Sequence, residues 1–577
     1  MATTSKSNNI GRTSLDDVGG RGNNKTFDNN STPQILLEET FYILSKKNTV
    51  FKVRLTNYGL CLIKESNGTT KEQTINISDI IGCRCMRSKR PVGAGSCSCQ
   101  SLARPPPLRV VEENSGERDE SDTSAYLYIY AYVLKRSRRG TKRERTTITL
   151  RFRSFDKYED NNREAQRWRN AVKSMLKREH DRKLLVLVNP KSGAGKAREI
   201  FQQRVAQIFN ESEVQYDLHV TKHANYAREF IRDRDLSQWN GVVVMGGDGI
   251  LFEVINGLLE RHDWEKVLHD MPLGIIPSGS GNGLAKTISH FYDEPYTPNP
   301  VLGAALAIVK GRRAPMDLVR VETTKQILFS FLSVGWGLLS DIDIESERLR
   351  AIGGQRFTVW SVARLIGLRT YHGKVWYLPM GLRRSVSANV TSDYDWNDME
   401  PLGRTRVDSW YSATSRRSAY YSTAASSYRS ADEDTKVPIR TFGPASQLPA
   451  LTAPVPSNWI CVEGPFVFVH AAYQSHISSD VIFAPRSRLD DGVIWLCIMR
   501  AGASRAQILS FLLGLSSGNH ASTPERGVCP VMMLPVQAFR IEPKNDAHGY
   551  ITVDGEQVDY GPLQAEVCPG IASIMVP

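Results

Sequence analysis

Three short strings in this chain could hold an anion. They are "NPKSGAGKA" (189–197), "GGDG" (246–249) and "PSGSGNG" (277–283), and each follows an apolar run. Glycine lets a backbone take φ > 0 and lets another molecule come close. In the first string Gly193 and Gly195 can turn N–H groups toward an anion. The helix that follows offers its positive end, and Lys191 and Lys196 add charge. It is not a Walker A loop: the leading glycine is missing, and Ala197 replaces the hydroxyl residue that would hold magnesium. The second string sets one acid, Asp248, among Gly246, Gly247 and Gly249. The third supplies Ser280, Gly281 and Asn282. One such loop reads as a tight turn. Three in order, each after an apolar strand, read as a nucleoside triphosphate site. A lone carboxylate there can hold magnesium or take the proton of an attacking hydroxyl. Phosphoryl transfer needs little beyond positioning and charge neutralisation. No Ser–His nucleophile pair or zinc-finger spacing accompanies the loops.

The elements that must carry these loops follow from periodicity. From Leu184 to about Pro315 strand and helix patterns alternate, which predicts a doubly wound α/β sheet. "VVVMGG" ends an apolar run with a glycine turn, and in open α/β sheets ligands bind beyond the carboxyl ends of strands. Residues 38–177 read as short strands, including "AYLYIYAYVL" (125–134) and "TTITLRFRSF" (146–155). A helix bearing Trp168, Val172 and Met175 on one face closes that region. This pattern looks like a pleckstrin-homology-type domain with a basic hairpin, "KRSRRGTKRER", between the two strands. From Met316 onward strands dominate, with helical stretches near Glu345–Ile352 and Val359–Leu368. The expected division is a disordered tail (1–34), a pleckstrin-homology-like domain (35–178), an ATP-binding domain (182–320) and a β-rich lipid-substrate domain (321–577). A Ser/Tyr/Arg-rich insertion at 383–451 lacks apolar periodicity and reads as disordered.

The chain has 577 residues, 41% of them hydrophobic, and a net charge of +12. That balance favours anionic partners such as phosphorylated ligands or an acidic membrane surface. Nine cysteines, odd in number and scattered, argue against a disulfide framework. Cys83, Cys85, Cys97 and Cys99 form a cluster whose spacing is not that of a usual zinc finger. No signal peptide is read, and no apolar stretch reaches 18 residues, so a cytoplasmic, peripherally membrane-associated protein is expected.

With the loops in hand, the chain resembles the lipid kinases that carry a diacylglycerol-kinase-type catalytic domain. The three glycine strings are that superfamily's signatures in its order. Within it the chain is most similar to sphingosine kinases, through "GWGLLSDIDIESERLRAIGGQRFTVW" (335–360), "LRTYHGKVWYLP", "MRAGASRAQILSFLLGLSSGNH" and "YITVDGEQVDYGP". The resemblance covers about 182–380 and 455–577. It implies a phosphofructokinase-like α/β nucleotide-binding domain, ATP and Mg2+ as cofactors, and phosphorylation of the primary hydroxyl of sphingosine or a related sphingoid base. It also implies that Asp248 is the catalytic base. Asn189, Lys191, Ser192, Gly193, Gly195, Thr221, Gly246, Gly247, Gly249, Ser280, Gly281, Asn282, Asp554, Gly555 and Glu556 would surround the nucleotide, with Arg350 and Arg356 reaching its phosphates. Asp343 would pair with the sphingoid amine, a carboxylate at the mouth of an apolar pocket. Leu512 and Leu513, on the greasy "ILSFLLGL" segment, would gate that pocket or dip into lipid. Phe357–Leu368 would suit a calmodulin-type partner, and no nucleic-acid partner is expected. Two departures stand out: Gly246 lies where many sphingosine kinases carry Ser, and Lys191 where an Arg occurs. Other readings are a ceramide or diacylglycerol kinase, an NAD kinase or phosphofructokinase, and a membrane-binding scaffold with an inactive kinase fold.

Overall fold

The computed structural model describes residues 34–43, 49–66, 69–89, 109–138, 140–176, 182–279, 281–346, 355–381, 443–521, 531–544 and 549–577. The N-terminal tail up to residue 33 and the insertion up to residue 442 lie outside these residues.

The first body is antiparallel. Its strands are β1 (Ile35–Ile43), β2 (Thr49–Thr56), β3 (Gly59–Ser66), β4 (Thr69–Asn76), β5 (Ile80–Ser88), β6 (Val110–Glu112), β7 (Ala125–Ser137) and β8 (Gly140–Phe152). They lie in the order β4-β3-β2-β1-β8-β7-β5-β6. Helix α1 (Tyr158–Leu176) buries Trp168 and Val172 on the sheet, and Phe41 meets the Trp168 ring edge-on at 5.3 Å. Cys83 belongs to this core and Cys85 packs against it. Burial pushes both thiols up to about 12, so both are protonated at neutral pH. Cys97 and Cys99 fall outside the described residues.

The second body is the α/β unit. Strands β9 (Lys183–Val188), β10 (Gln215–Val220), β11 (Val242–Gly246) and β12 (Leu273–Pro277) run parallel in the order β10-β9-β11-β12. Their apolar runs are continuous because both faces are covered. Leu185, Leu187, Val242 and Val244 face one core, shared with α5 (Tyr226–Asp233), α6 (Asp248–Leu259) and α7 (Trp264–Asp270). Leu184, Val186, Val188, Val243 and Met245 face the other. That second core is shared with a helical run comprising α2 (Ser192–Gly195), α3 (Ala197–Ile200), a π turn and α4 (Ala206–Glu211). Helices α8 (Gly283–Phe291) and α9 (Pro300–Lys310) follow β12.

The remaining strands extend the same sheet: β13 (Arg312–Thr323), β14 (Ile327–Ser330), β15 (Ser333–Gly337), β16 (Tyr371–Pro379), β17 (Ile460–Ala472), β20 (Ile494–Arg500), β21 (Val531–Pro543), β22 (Ile551–Val553), β23 (Glu556–Val558) and β24 (Leu563–Val576). A separate two-stranded ribbon is β18 (His476–Ser478) with β19 (Val481–Ile482). Strand β24 joins the two regions. It runs antiparallel to β13 and β21 and meets β12 in parallel through Leu273 and Ile574. Three helices lie in this part: α10 (Leu338–Ser346), α11 (Gln355–Ile366) and α12 (Arg505–Gly514). The helix expected from Glu345 thus begins seven residues earlier, at Leu338.

Two expectations need correction. Residues 443–451, assigned to a disordered insertion, are held against the sheet. Gly443 packs on Phe329, and the buried Arg540 guanidinium donates to the Ala450 and Ala453 carbonyls at 3.2 and 2.8 Å. The basic hairpin is also not wholly a solvent-facing surface. Arg143, its side chain 9% exposed, lies between Asp79 and Glu294, with 2.5 Å to each. Arg145 pairs with the buried Glu211 at 2.6 Å, and the Tyr132 hydroxyl donates to the same carboxylate. These contacts tie the first body to the end of α4 and to the segment after α8. Lys135 pairs with Glu144 at 2.7 Å. Removing one member of a buried ion pair leaves uncompensated charge, at a cost of about 3–5 kcal/mol. Arg143→Ala is therefore expected to destabilise the docked state by that order, read as a lower denaturant midpoint for the transition that separates the first two bodies. A midpoint equal to that of the unaltered chain contradicts the clamp.

Candidate active site

Each glycine string lies at the carboxyl end of a parallel strand, and the strings touch one another. The Asn189 amide donates to Met245 O at 3.0 Å, and the Ser278 and Gly279 amides donate to Gly246 O at 2.9 and 3.1 Å. A Cβ on Gly279 would lie 2.6 Å from the Gly247 Cα and 3.3 Å from Ser192 Oγ. The first loop is braced by its own asparagine, whose Oδ1 accepts from the Lys191 amide at 3.0 Å. Gly195 takes φ +81° as the chain leaves that loop, and Lys191 and Lys196 are exposed. Thr221 joins the same rim, its amide donating to Val188 O at 2.9 Å. Asn282 braces the third loop by donating to Gly279 O at 2.7 Å. Ser280, Arg350 and the side chain of Arg356 lie outside what the structure describes.

Asp248 opens α6 and is 6% exposed. Its Oδ2 accepts from the Gly283 amide at 2.8 Å, at the N-terminus of α8. Its Oδ1 is buried and has no partner. Burial raises this carboxyl to about 7, against the pull of the Gly283 amide, and nearby Asp554 adds to the rise. The sequence reading missed Gly283 as the group that orients this acid, although it is the last glycine of "PSGSGNG". It also missed Lys286, one turn further along α8, whose ammonium lies 4.9 Å from the centre of the Tyr296 ring. Burial raises the Tyr296 hydroxyl, and Asp248 contributes to that rise.

The β-rich part supplies the opposite wall through the turn between β22 and β23. Gly555 and Glu556 reach the loops here: a Cβ on Gly249 would lie 2.9 Å from Glu556 Oε1. Asp554 holds that turn. Its carboxylate accepts from the amides of Phe331, Leu332 and Ser333 at 2.9–3.0 Å and from Ser330 Oγ at 2.5 Å. With its oxygens so engaged, Asp554 fixes the turn that carries Gly555 and Glu556. The turn also meets α10, because a Cβ on Gly555 would lie 3.3 Å from Asp343 Oδ2. The structure thus brings Asp343 to the same junction as Glu556, Gly249 and Asp248.

The neighbouring acids have other roles. Asp341 is buried, accepts from the Tyr371 hydroxyl and from Arg369, and takes the Tyr550 amide at 3.2 Å. Glu345 pairs with Arg364 and accepts from Trp360 Nε1 at 2.8 Å. On α12 the apolar residues divide. Ile508, Phe511 and Leu515 are buried, Leu512 is half-buried, and Leu509 and Leu513 are exposed. Helix α11 lies alongside, with Arg505 donating to the Leu365 and Ile366 carbonyls, and exposes Val359, Val362 and Ile366.

Residues 183–321 match the diacylglycerol kinase catalytic domain. That match places the loops and Asp248 in a lipid-kinase class of phosphotransferase. Over 547 residues the chain is 34% identical to human sphingosine kinase 2, covering 79% of this chain and 82% of that one. Human sphingosine kinase 1 is 36% identical over 392 residues, covering 67% and 89%. Among solved structures, one described as a putative diacylglycerol kinase from Bacillus anthracis str. Sterne is 15% identical, with a TM-score of 0.44 over 69% of this chain and 97% of that one. The chain belongs to the sphingosine kinase family.

The raised Asp248 carboxyl sets an expected pH dependence. A carboxyl of pKa about 7 is neutral below that pH and can accept a proton only above it. If it acts as a base, kcat/KM rises about tenfold per pH unit and levels near pH 7, whereas an ordinary aspartate would level near 4. Asp248→Asn should remove that limb and lower turnover by about 10²–10⁴-fold. A profile flat from pH 5 to 8, or a variant with half the original kcat, rules out this base.

Proposed function

We infer that Asp248 is the general base of an ATP-dependent sphingosine kinase. The family's reaction moves the γ-phosphoryl group of ATP to the primary hydroxyl of sphingosine, leaving ADP and sphingosine 1-phosphate. The observation that carries the assignment is the asymmetric setting of one carboxylate. Gly283 fixes Oδ2, so the unpartnered Oδ1 is available for the hydroxyl proton. As the proton passes to Asp248, the hydroxyl oxygen bonds to the γ-phosphorus and the bond to the bridging oxygen of ADP breaks. Amides of the three loops, with Lys191, would hold the phosphates. Glu556 would close over the nucleotide from the β-rich side, as its place beside Gly249 suggests.

Magnesium is proposed to arrive with ATP. Among the described residues no three His, Cys, Asp or Glu side chains gather to cage a metal. That suits Mg2+, which is usually held by one or two carboxylates and the substrate phosphates. Glu556 is the carboxylate that would share it, and the ion would neutralise triphosphate charge.

Asp343 is proposed as the partner of the sphingoid ammonium. It reaches the junction beside Gly555, next to the turn that carries Glu556. Neutral ceramide and diacylglycerol would not need it. We further propose a cytoplasmic protein that visits acidic membranes. Among the described residues no helix is long and apolar enough to cross one. The exposed apolar side chains Leu509 and Leu513 on α12 and Val359, Val362 and Ile366 on α11 form the face proposed to enter lipid. A calmodulin-type partner at 357–368 would compete for the same face. The first body, an antiparallel sheet closed by α1, supports the pleckstrin-homology-like reading. Its lipid contact would now rest on Lys135, Arg136, Arg138 and Lys142, with Arg143 and Arg145 committed elsewhere.

Two measurements test these roles. Asp343→Asn should raise KM for sphingosine tenfold or more and leave KM for ATP within twofold, since a lost charge-assisted hydrogen bond costs about 1.5–3 kcal/mol. A rise confined to ATP refutes the amine contact. In liposome flotation, Leu509→Ser with Leu513→Ser should weaken binding at any salt. Neutralising Lys135, Arg136, Arg138 and Lys142 should weaken it only on anionic vesicles at low salt. Flotation unaffected by both sets removes these surfaces from the account.

A further inference from the structure

The first body is docked closely enough to share a core with the α/β unit. Ile81 of β5 and Tyr132 of β7 are buried in the same cluster as Val186, Val243 and Phe209. A Cβ on Gly82 would lie 2.1 Å from Glu211 O, so the sheet meets the end of α4 backbone to backbone. Two groups of charges hold this contact. One gathers at Glu213, which pairs with Arg169 at 3.2 Å and with Lys173, while Arg84 donates to Asn210 Oδ1 at 2.8 Å. That group ties the first body to α4 and the turn after it. The other is Arg143, and it leads elsewhere. Its Nε and Nη2 form a fork on the Glu294 carboxylate, and its Nη1 reaches Asp79 and the Tyr132 carbonyl. Lys310 of α9 stands 3.9 Å from Glu294, so two cations and two carboxylates balance in a largely buried quartet.

Glu294 follows α8, the helix whose first amide holds Asp248. The Glu294 amide donates to Ser289 O at 2.9 Å, which fastens the residue to the last turn of that helix. Just beyond it Tyr296 returns to α8, where the Lys286 ammonium lies 4.9 Å from its ring centre. The middle of α8 is pinned to the β18 ribbon. The His476 amide and the Ser475 hydroxyl donate to Thr287 Oγ1 at 3.1 and 3.3 Å. Gly283 and Phe291 lie four residues to either side of Thr287, about 6 Å along the axis in each direction. A tilt about Thr287 therefore moves the two ends by similar amounts. His290 and Phe291 are exposed, so the carboxyl end of α8 depends for its hold on the residues that follow it. Arg143, 151 residues earlier in the chain than Glu294, supplies that hold.

We propose that Arg143 is a positioning residue for phosphoryl transfer: through Glu294 it fixes the tilt of α8, and with it the Gly283 amide on Asp248. The first body is then part of the catalytic unit as well as a membrane contact. The inference rests on Asp248 as the base. Hydrogen bonds of this kind fade once the separation passes about 3.2 Å, so a small tilt releases the 2.8 Å contact from Gly283. A misplacement of about 1 Å in a catalytic group can cost about 10²-fold in rate.

The test uses the full chain with ATP and detergent-dispersed sphingosine, well below any unfolding transition. Glu294→Gln keeps the shape of the side chain and breaks the charge clamp, and Arg143→Met removes it from the other side. Each should lower kcat about tenfold and leave KM for ATP within twofold. The Gly283 amide favours the charged carboxylate, so releasing it raises the Asp248 carboxyl further. The limb of kcat/KM should accordingly move above pH 7 by about half a unit or more. The double variant should be no slower than the slower single, because both changes cut one link. Glu213→Gln cuts the other group of charges and should keep both kcat and the limb. Should Arg143→Met fail to fold, Glu294→Gln carries the test. Where the unaltered enzyme shows the limb, a limb that moves up in neither variant overturns the proposal, whatever happens to kcat. So does an equal loss in Glu213→Gln, which would trace the effect to docking as a whole. If the unaltered profile is flat while Glu294→Gln lowers kcat and Glu213→Gln does not, Asp248 falls as the base and the hold on α8 stands.

Discussion

The site depends on how closely its loops approach one another. A single methyl on Gly279 would sit 2.6 Å from the Gly247 Cα, and one on Gly247 would sit 3.1 Å from Gly281 O. No side chain fits between such backbones, so the amides of three separate loops can surround one small anion. The same closeness brings the N-terminus of α8 to Asp248. Without that approach, the Gly283 amide could not fix one carboxylate oxygen and leave the other bare.

Three buried aspartates then differ through their partners. Asp554 receives three amides and a hydroxyl, and serves as a clasp for a turn. Asp341 is held by a phenol, a guanidinium and an amide, and fixes α10 against β16. Asp248 receives too few partners to offset its burial, so its affinity for a proton comes near neutrality. Burial raises Asp554 too, to about 6, so what sets Asp248 apart is the oxygen that no donor reaches.

Much of this was legible in the sequence. The apolar runs before each glycine string predicted strands covered on both faces, and residues 184–188 and 242–245 fill two cores as expected. Asp248 stood out as the lone acid among glycines. Trp168 and Val172 showed the buried face of α1 through their spacing. What escaped was set by partners far along the chain. Nothing around Arg143 indicates that Asp79 and Glu294 face it, so its hairpin read as a free basic surface. The donors that hold Asp554 lie more than 200 residues away, so its part in fixing the turn could not be read locally. Residues 443–451 carry no periodicity, yet the buried Arg540 orders them through carbonyls that any sequence would offer. "ILSFLLGL" is greasy all round, and only its neighbours decide that Ile508 and Phe511 turn inward while Leu513 stays out.

Strand β24 has a consequence for how the chain is made. Beyond β11, the other neighbour of β12 is β24, through Ile574. That strand is synthesised roughly 300 residues after β12. At about 5–20 residues per second, the nucleotide-binding half would wait on the order of 15–60 s on the ribosome with an unpaired apolar edge. Such an edge invites pairing with other chains. Production of this protein is therefore expected to lean on chaperones during translation, and its yield to depend more on the last strand than on any residue of the catalytic loops.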